Sequence, residues 1–311
     1  AKDDFERHLF LWCIDTYVPL KQFGPQDVHL TFYENLLARP QAELQSLFTF
    51  LGEETFAILL LIAVYWCWDK RIGEYLLFSL YTAKSLNGLL KDIICRPRPF
   101  LNDEFSDLRY VKVKGLLVDT EHLSSSWSFP SGHSQTAGSI YGSLINGRKL
   151  GIKVCGIAVI LLVMLSRVYL GVHYPTDTIV GAVLGLLCAW VCGLLFRRFY
   201  QHRLLLMAAA VLLSGLMLLV SPSGDSVKTL AMGVGAVLGM WLEDGLVEFR
   251  SANGFFGGAL RLILGFALIM AIRIGLKALL PDMMWCHTLR YGLMGLFGTF
   301  LWPWVFTKLG F

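Results

Sequence analysis

Long apolar stretches alternate with short polar turns along most of this chain. A helix that crosses about 30 Å of hydrocarbon needs roughly 20 mostly apolar residues. Stretches of this character occupy residues 55–69, 73–94, 134–147, 152–170, 177–196, 203–221, 228–243, 255–279 and 289–307. Their apolar residues do not alternate with polar ones, as the strands of a membrane barrel require. The pattern therefore predicts an all-α fold, a polytopic transmembrane helical bundle.

The first part of the chain interrupts this pattern. Residues 1–53 mix acidic residues with aromatic and aliphatic ones and break at Gly24-Pro25. Such a mixture predicts amphipathic helices on the bilayer surface, and a re-entrant or tightly docked segment is the alternative. The chain thus divides into an interfacial segment (1–53), a transmembrane core (54–200) and a C-terminal transmembrane extension (201–311).

Composition supports the membrane assignment. Of the 311 residues 55% are hydrophobic and only 16% are charged, whereas a typical soluble domain has about 25% charged residues. The formal net charge of +4 is too small to indicate nucleic-acid binding. The bilayer is the expected partner, and the sequence leaves the oligomeric state open.

Basic residues predict the orientation of the bundle. Pairs of Lys or Arg fall in consecutive short turns at 70–71, 148–149 and 197–198. Short loops rich in Lys and Arg stay in the cytoplasm, so the long polar linker between the second and third stretches faces outward. Within that linker, residues 100–128 are the candidate lid. Glu243 and Asp244 follow a stretch on the predicted cytoplasmic side, where we expect them to be solvated.

Three polar clusters fall at the outward ends of the predicted helices. They lie at residues 91–99, 129–133 and 166–177. Among their cations, Lys91, Arg98 and Arg167 would lie near one another and repel near a bilayer unless an anion joined them. Arginine forks match phosphate oxygens, and Ser131 and Gly132 open a helix whose free N–H groups can bind an anion. The clusters together predict a phosphate cradle.

Two histidines add chemistry to this cradle. Asp177 follows His173 by four residues, so its carboxylate can accept from one imidazole nitrogen and leave the other free to attack phosphorus. His133 lies beside the cradle and can protonate a leaving oxygen. Three fixed cations can stabilise the transferring phosphoryl group, so neither a metal nor another cofactor is required. Each residue alone would read as a membrane anchor or an ordinary turn, and only the combination indicates a site.

The three clusters resemble the signature of the type 2 phosphatidic acid phosphatase superfamily. Its motifs are Lys-x6-Arg-Pro, Pro-Ser-Gly-His and Ser-Arg-x5-His-x3-Asp, and all three are present in order without substitution. The resemblance implies a six-helix core and metal-independent hydrolysis of phosphate monoesters or pyrophosphates. It implies that His173 forms a phosphohistidine oriented by Asp177, and that His133 protonates the leaving group and then activates water. The residues implied to hold the phosphoryl group are Lys91, Arg98, Ser131, Gly132 and Arg167.

The expected protein is an integral membrane phosphatase acting on a lipid phosphate or lipid pyrophosphate. The run Gly52-Glu-Glu-Thr resembles bacterial members, so we expect a bacterial cell membrane with the active site on the extracytoplasmic face. A sugar-phosphate phosphatase of the same superfamily and a non-catalytic phospholipid or phosphate-ester transporter are the alternatives.

Residues 201–311 carry no motif, so their role and the identity of the lipid stay open. Lys84, seven residues before Lys91, either extends the cationic pocket inward or forms an ion pair, with Asp92 or with an acid such as Glu54 from a neighbouring helix.

Overall fold

The computed structural model of the protein describes residues 52–101, 126–220, 222–252, 254–281 and 283–310. The predicted interfacial segment, apart from its last two residues, lies outside the described residues, as does most of the candidate lid. Within the described ranges every regular element is helical. The all-helical class predicted from the apolar pattern is confirmed.

Ten α-helices follow one another in the described part of the chain. They are α1 (Glu54–Ala63), α2 (Lys70–Ile94), α3 (Gly132–Ile145), α4 (Leu150–Tyr169), α5 (Pro175–Arg198), α6 (Arg203–Val220), α7 (Gly224–Leu246), α8 (Phe255–Leu279), α9 (Met284–Leu296) and α10 (Trp302–Leu309). A π-helical turn, Val64–Trp68, continues α1, and another, Phe297–Leu301, joins α9 to α10. Helices suit apolar segments because all their backbone groups bond internally.

Four segments of the described chain are long and apolar enough to cross a bilayer. They are Leu150–Tyr169, Pro175–Arg198, Tyr200–Val220 and Phe255–Leu279. The protein is therefore an integral membrane protein. Helix α3 has only 14 residues, and it buries polar side chains such as Ser134, Gln135 and Ser139. Polar groups of this kind need protein partners, so α3 lies among the other helices rather than against lipid.

Glycines allow α3 and α5 to pack closely. A Cβ atom added at Gly181 would lie 2.5 Å from the carbonyl oxygen of Ser131, and one at Gly185 would lie 2.2 Å from that of Gln135. Both distances are far below van der Waals contact, so no larger residue fits without moving a backbone. The four-residue spacing of these glycines is the small-xxx-small pattern of close helix pairs. This contact fixes the helix that carries His133 against the helix that carries Asp177.

An ion-pair cluster at the N-terminal end of α2, the end opposite Lys91, joins the core to the C-terminal helices. Lys70 bonds to Glu243 of α7, and Arg203 of α6 contacts Glu74 of α2 at 3.1 Å and bonds to Asp244. The Glu243 side chain is 1% exposed, so the expectation that it is solvated was wrong. The cations of α2 and α6 supply the compensating charge that lets this carboxylate be buried. Residues Leu47–Phe311 form one compact unit, and the boundary proposed between core and extension stays a prediction.

Candidate active site

Four helix ends bring the predicted site residues to one end of the bundle. Lys91 lies in the last turn of α2 and Arg167 in the last turn of α4, while α3 and α5 begin just after Ser131 and Tyr174. The Ser131 backbone N–H donates to the Asp177 carbonyl at 3.0 Å. The second and third motifs are therefore bonded to each other directly.

Local sequence explains why α3 and α5 begin where they do. Ser131 caps α3, and its hydroxyl oxygen accepts from the Ser134 N–H at 3.5 Å. Pro175 occupies the first turn of α5, where the absence of an N–H group leaves no bond unmade. The Asp177 carboxylate accepts from the Tyr174 N–H at 3.0 Å, as acidic residues in a first turn do. The signature residues thus also build the helix ends that present them.

His173 lies in the short connection between α4 and α5 and is buried. Its Nε2 atom faces Arg98 Nη1 at 3.4 Å, and its Nδ1 atom faces Ser128 Oγ at 3.3 Å. A guanidinium only donates hydrogen bonds, so we assign Nε2 as the acceptor and place the proton on Nδ1. The unprotonated nitrogen therefore points towards the cation that could hold a phosphoryl oxygen.

A serine hydroxyl connects Asp177 to His173. Asp177 Oδ2 lies 3.6 Å from His173 Nδ1, which is longer than a good hydrogen bond. Ser128 Oγ lies 2.5 Å from that same carboxylate oxygen and faces the imidazole. Asp177 is fully buried, and its other oxygen accepts from Arg96 Nη1 at 2.7 Å. The predicted pairing of Asp177 with His173 thus includes Ser128, which sequence spacing did not reveal.

Arg98 is held rigidly by the linker that surrounds it. Its Nε donates to the Ser126 carbonyl at 3.0 Å, its Nη2 to Ser126 Oγ at 2.7 Å and its Nη1 to the Val172 carbonyl at 3.1 Å. The side chain is almost completely buried. A guanidinium fixed in this way is oriented before any ligand arrives, as electrostatic catalysis requires.

Burial lowers the pKa values of both His173 and Arg98. It lowers the pKa of His173 to about 4, with the Asp177 carboxylate opposing the shift and the Arg98 charge adding to it. Burial also lowers the pKa of Arg98 to about 10, which Asp177 opposes and the charge of Arg167 reinforces. At neutral pH the imidazole is therefore neutral and the guanidinium charged, the states that a nucleophile and an anion ligand need.

The carboxylate of Glu53, the residue just before α1, faces His133, the other catalytic candidate. Glu53 Oε1 lies 3.6 Å from His133 Nε2 and 3.6 Å from Arg167 Nη2. One oxygen atom thus faces an imidazole and a guanidinium together, as a phosphate oxygen would. Carboxylate and phosphate oxygens use the same donors, so Glu53 marks the place where an anion fits.

The site opens into a cavity of about 460 Å³, within the size range of small-molecule sites. Among the predicted residues Lys91, Arg98, Gly132, His133 and His173 line this cavity. The other three, Ser131, Arg167 and Asp177, stand behind it and are bonded to its walls or to Glu53. All eight residues selected from the sequence therefore belong to one connected cluster.

Several residues of this cluster were not identified from the sequence. Ser126, Ser128 and Arg96 come from the linker, where no periodic pattern distinguishes them. Asn87 of α2 donates to the Pro130 carbonyl at 3.2 Å and to Gln135 Oε1 at 2.8 Å, and so braces the turn before α3. Only the Gly52-Glu-Glu-Thr run had drawn attention to Glu53. Among the described residues, no three His, Cys, Asp or Glu side chains are arranged to hold a metal ion.

Comparison with known families agrees with the motifs and the helical fold. The family described as "PAP2 superfamily" matches residues 73–201, and the "PAP2 superfamily phosphatase, transmembrane extension" matches residues 227–311. Together the two matches cover more than half of the chain. The chain belongs to the PAP2 superfamily, with a core domain followed by the transmembrane extension.

Individual relatives cover different fractions of the chain. It is 36% identical to a lipid A 1-phosphatase of Rhizobium johnstonii over 43% of this chain and 54% of that protein. It thus spans about half the length of that relative. The chain is 27% identical to sphingosine-1-phosphate phosphatase 1 of Mus musculus over 84% of this chain and 71% of that protein. A crystal structure of a PAP2-type phosphatidylglycerolphosphate phosphatase from Bacillus subtilis covers 53% of this chain and 82% of its own, at 28% identity and a TM-score of 0.40.

Proposed function

We propose that this protein is an integral membrane phosphatase that hydrolyses a lipid phosphate monoester or lipid pyrophosphate through a phosphohistidine at His173. One observation carries the proposal. His173 Nε2 lies 3.4 Å from the fixed Arg98 guanidinium, and its other nitrogen faces a buried hydroxyl and carboxylate. A neutral imidazole aimed at a rigid anion site is the arrangement that nucleophilic phosphoryl transfer needs.

In the first step the phosphoryl group enters the cradle. Lys91, Arg98 and Arg167 bind its oxygens together with the N–H groups at the start of α3, which have no intrahelical acceptor. Because the Ser131 N–H already donates to Asp177, the amides that follow it are the ones available. His173 Nε2 then forms a bond to phosphorus while the bond from phosphorus to the leaving oxygen breaks.

His133 and Asp177 handle the accompanying charge. Burial lowers the pKa of His133 to about 4, so His133 takes up its proton beside the bound phosphate and then donates it to the leaving oxygen. The product leaves as an alcohol or as a protonated phosphate. The imidazole of His173 becomes positively charged when it bonds phosphorus. The Asp177 carboxylate, acting through Ser128, stabilises that charge and keeps the ring oriented.

The second step restores the protein. His133, now neutral, takes a proton from a water molecule, and the oxygen of that water attacks phosphorus. The bond from phosphorus to His173 breaks, and inorganic phosphate is released. Each histidine returns to its starting protonation state, so the cycle consumes only one water molecule.

A lipid substrate is proposed from the membrane location of the cavity and from the relatives. The proteins similar to this chain include a lipid A 1-phosphatase and a sphingosine-1-phosphate phosphatase, both named for phosphates of lipids. The cradle lies at the ends of membrane helices, where a lipid headgroup can enter while its chains stay in the bilayer.

We further propose that the site faces the extracytoplasmic side of a bacterial membrane. Arg71 lies at the start of α2, Arg148 follows the end of α3, and Arg197 lies at the end of α5. Those ends are opposite to the ends that carry the signature residues. By the positive-inside rule the basic end is cytoplasmic. Labelling of a single cysteine placed at each end, in intact cells, tests this orientation.

Phosphate release from purified protein tests the activity. The substrates are phosphatidate, a prenyl pyrophosphate, phosphatidylglycerol phosphate, a sphingoid phosphate and a water-soluble sugar phosphate. We expect release from at least one lipid, none from the His173→Ala variant, inhibition by vanadate and no loss with EDTA. A protein that binds these phosphates but never releases phosphate is a transporter or binding protein, and a preference for the sugar phosphate supports the soluble alternative.

A further inference from the structure

The C-terminal extension forms one wall of the cavity that contains the catalytic candidates. Helix α7 contributes Ser226, Thr229 and Met232, and α6 contributes Met217. These residues face α2, which carries Lys91 at the mouth of the same cavity. The extension has no signature motif, yet its side chains lie along the space that a substrate must occupy.

Two glycine contacts hold α7 beside α2. A Cβ atom at Gly88 would lie 3.1 Å from Ser226 Oγ, and one at Gly233 would lie 2.4 Å from the ring of Tyr81. Gly88 and Tyr81 are seven residues apart on α2, which is about 10 Å along the helix axis. The wall is therefore fixed at two heights, and the cavity between these helices has a defined depth.

The cavity changes from polar to apolar along this depth. On α2 the lining residues run from Lys91 through Lys84 to Leu80 and Leu77, a distance of about 21 Å. On α7 they run from polar Ser226 and Thr229 to apolar Met232 and Ala236. Lys84 thus lines the cavity, as the first of its two predicted roles requires. The polar end holds the catalytic groups, and the apolar end lies deeper among the membrane helices.

We infer that the extension builds the binding site for the hydrocarbon chain of the substrate, between α2, α6 and α7. This inference rests on the proposed function, because the phosphate at the polar end sets the direction of the chain. A lipid phosphate has the same gradient, with a charged head and an apolar tail. Moving one CH2 group from water into an apolar site contributes about 0.8 kcal/mol to binding. Such a site therefore selects substrates by chain length.

The test narrows the apolar end without touching the catalytic groups. Met232→Trp fills the cavity from α7, and Leu77→Trp fills it from α2, so one variant remains if the other does not fold. Leu238→Trp is the matched control, because Leu238 lies on the same helix as Met232 and is exposed. Each protein is assayed with hexadecyl phosphate and butyl phosphate in one detergent, and kcat/KM is measured for both.

We expect the ratio of kcat/KM for hexadecyl to butyl phosphate to fall about tenfold in both cavity variants, the effect of losing two buried CH2 groups. The control should keep the wild-type ratio. An unchanged ratio in a folded cavity variant overturns the inference, and so does an equal loss for both substrates, since that indicates damage to the catalytic groups. Wild-type protein that releases phosphate from no lipid overturns the proposed function instead.

Discussion

The Asp177 carboxylate and the His173 imidazole are coupled through a hydroxyl group, with Oδ2 and Nδ1 3.6 Å apart. Ser128 Oγ contacts both groups, at 2.5 Å and 3.3 Å. The carboxylate is also bound by Arg96, so its position is set by the linker as well as by α5. The residue that orients the imidazole thus depends on a serine outside the three motifs.

Removing this hydroxyl should slow the chemical step. We expect Ser128→Ala to lower kcat by about 10- to 100-fold, as the loss of an orienting group does at other sites, with little change in KM. Steady-state kinetics on the best lipid substrate measure both constants. Ser139→Ala is the control, because it removes a buried hydroxyl of α3 that bonds to Ser79 and lies outside the cavity. Equal kcat values for Ser128→Ala and wild type would remove Ser128 from the mechanism.

The low pKa of His173 predicts how the site responds to acid. Its folded pKa of about 4 is below the unfolded value of about 6.5. Between these values the unfolded chain binds the proton more readily, so stability contributed by neutral His173 is present above pH 6.5 and is lost as pH falls through 4. The nucleophile should therefore stay neutral at pH 5.5. Histidine-selective NMR, assigned with His173→Gln, measures this pKa, and a midpoint near 6.5 would contradict the burial argument.

The contact between α3 and α5 predicts an intolerant glycine. Gly185→Ala places a Cβ atom 2.2 Å from a backbone oxygen, so the helices must separate, which destabilises the fold by about 1–3 kcal/mol. Because these helices carry His133 and Asp177, phosphate release should fall as well. Gly275→Ala is the control, since no atom lies within 4 Å of its added Cβ. Thermal unfolding and activity assays check both variants, and a fully active, stable Gly185→Ala protein would disprove the close contact.

The buried carboxylate of Glu243 should support stability without supporting catalysis. Glu243→Ala leaves Lys70 without its nearer acidic partner and removes the acceptor of the Phe249 N–H, a 2.8 Å bond. We expect a loss of about 2 kcal/mol, less than for a fully buried pair because Lys70 is partly exposed and keeps Asp244 nearby. The network lies about 30 Å from Lys91 along α2, so kcat of the folded variant should be unchanged. Melting temperature and kcat separate these effects, and a large fall in kcat would show that the two ends of the bundle are coupled.

Glu53 should compete with anions for the site. Its carboxylate oxygen faces His133 and Arg167 at 3.6 Å. An entering phosphate therefore either is repelled by the negative charge of Glu53 or must displace this carboxylate. Glu53→Gln should lower the inhibition constant of vanadate by about three- to tenfold, the effect expected for one partly solvated charge near another. Glu248→Gln is the control, because it removes the charge of a carboxylate that is distant from Glu53 in the sequence. Weaker inhibition of Glu53→Gln would show that the carboxylate helps to hold the anion.

The sequence by itself determined the helical class and the membrane assignment, and it predicted eight candidate site residues. Apolar stretches form helices in lipid because a helix bonds all its backbone groups internally. Lys91 and His173 belong to short motifs, whose spacing is visible in the sequence without any knowledge of distant contacts. Tertiary structure decided what depends on contacts between distant segments: the hydroxyl of Ser128 between Asp177 and His173, the burial of Glu243 and the cavity wall formed by α7. No local pattern encodes these contacts. They arise only when helices from distant parts of the chain come together, through close packing at glycines and through ion pairs.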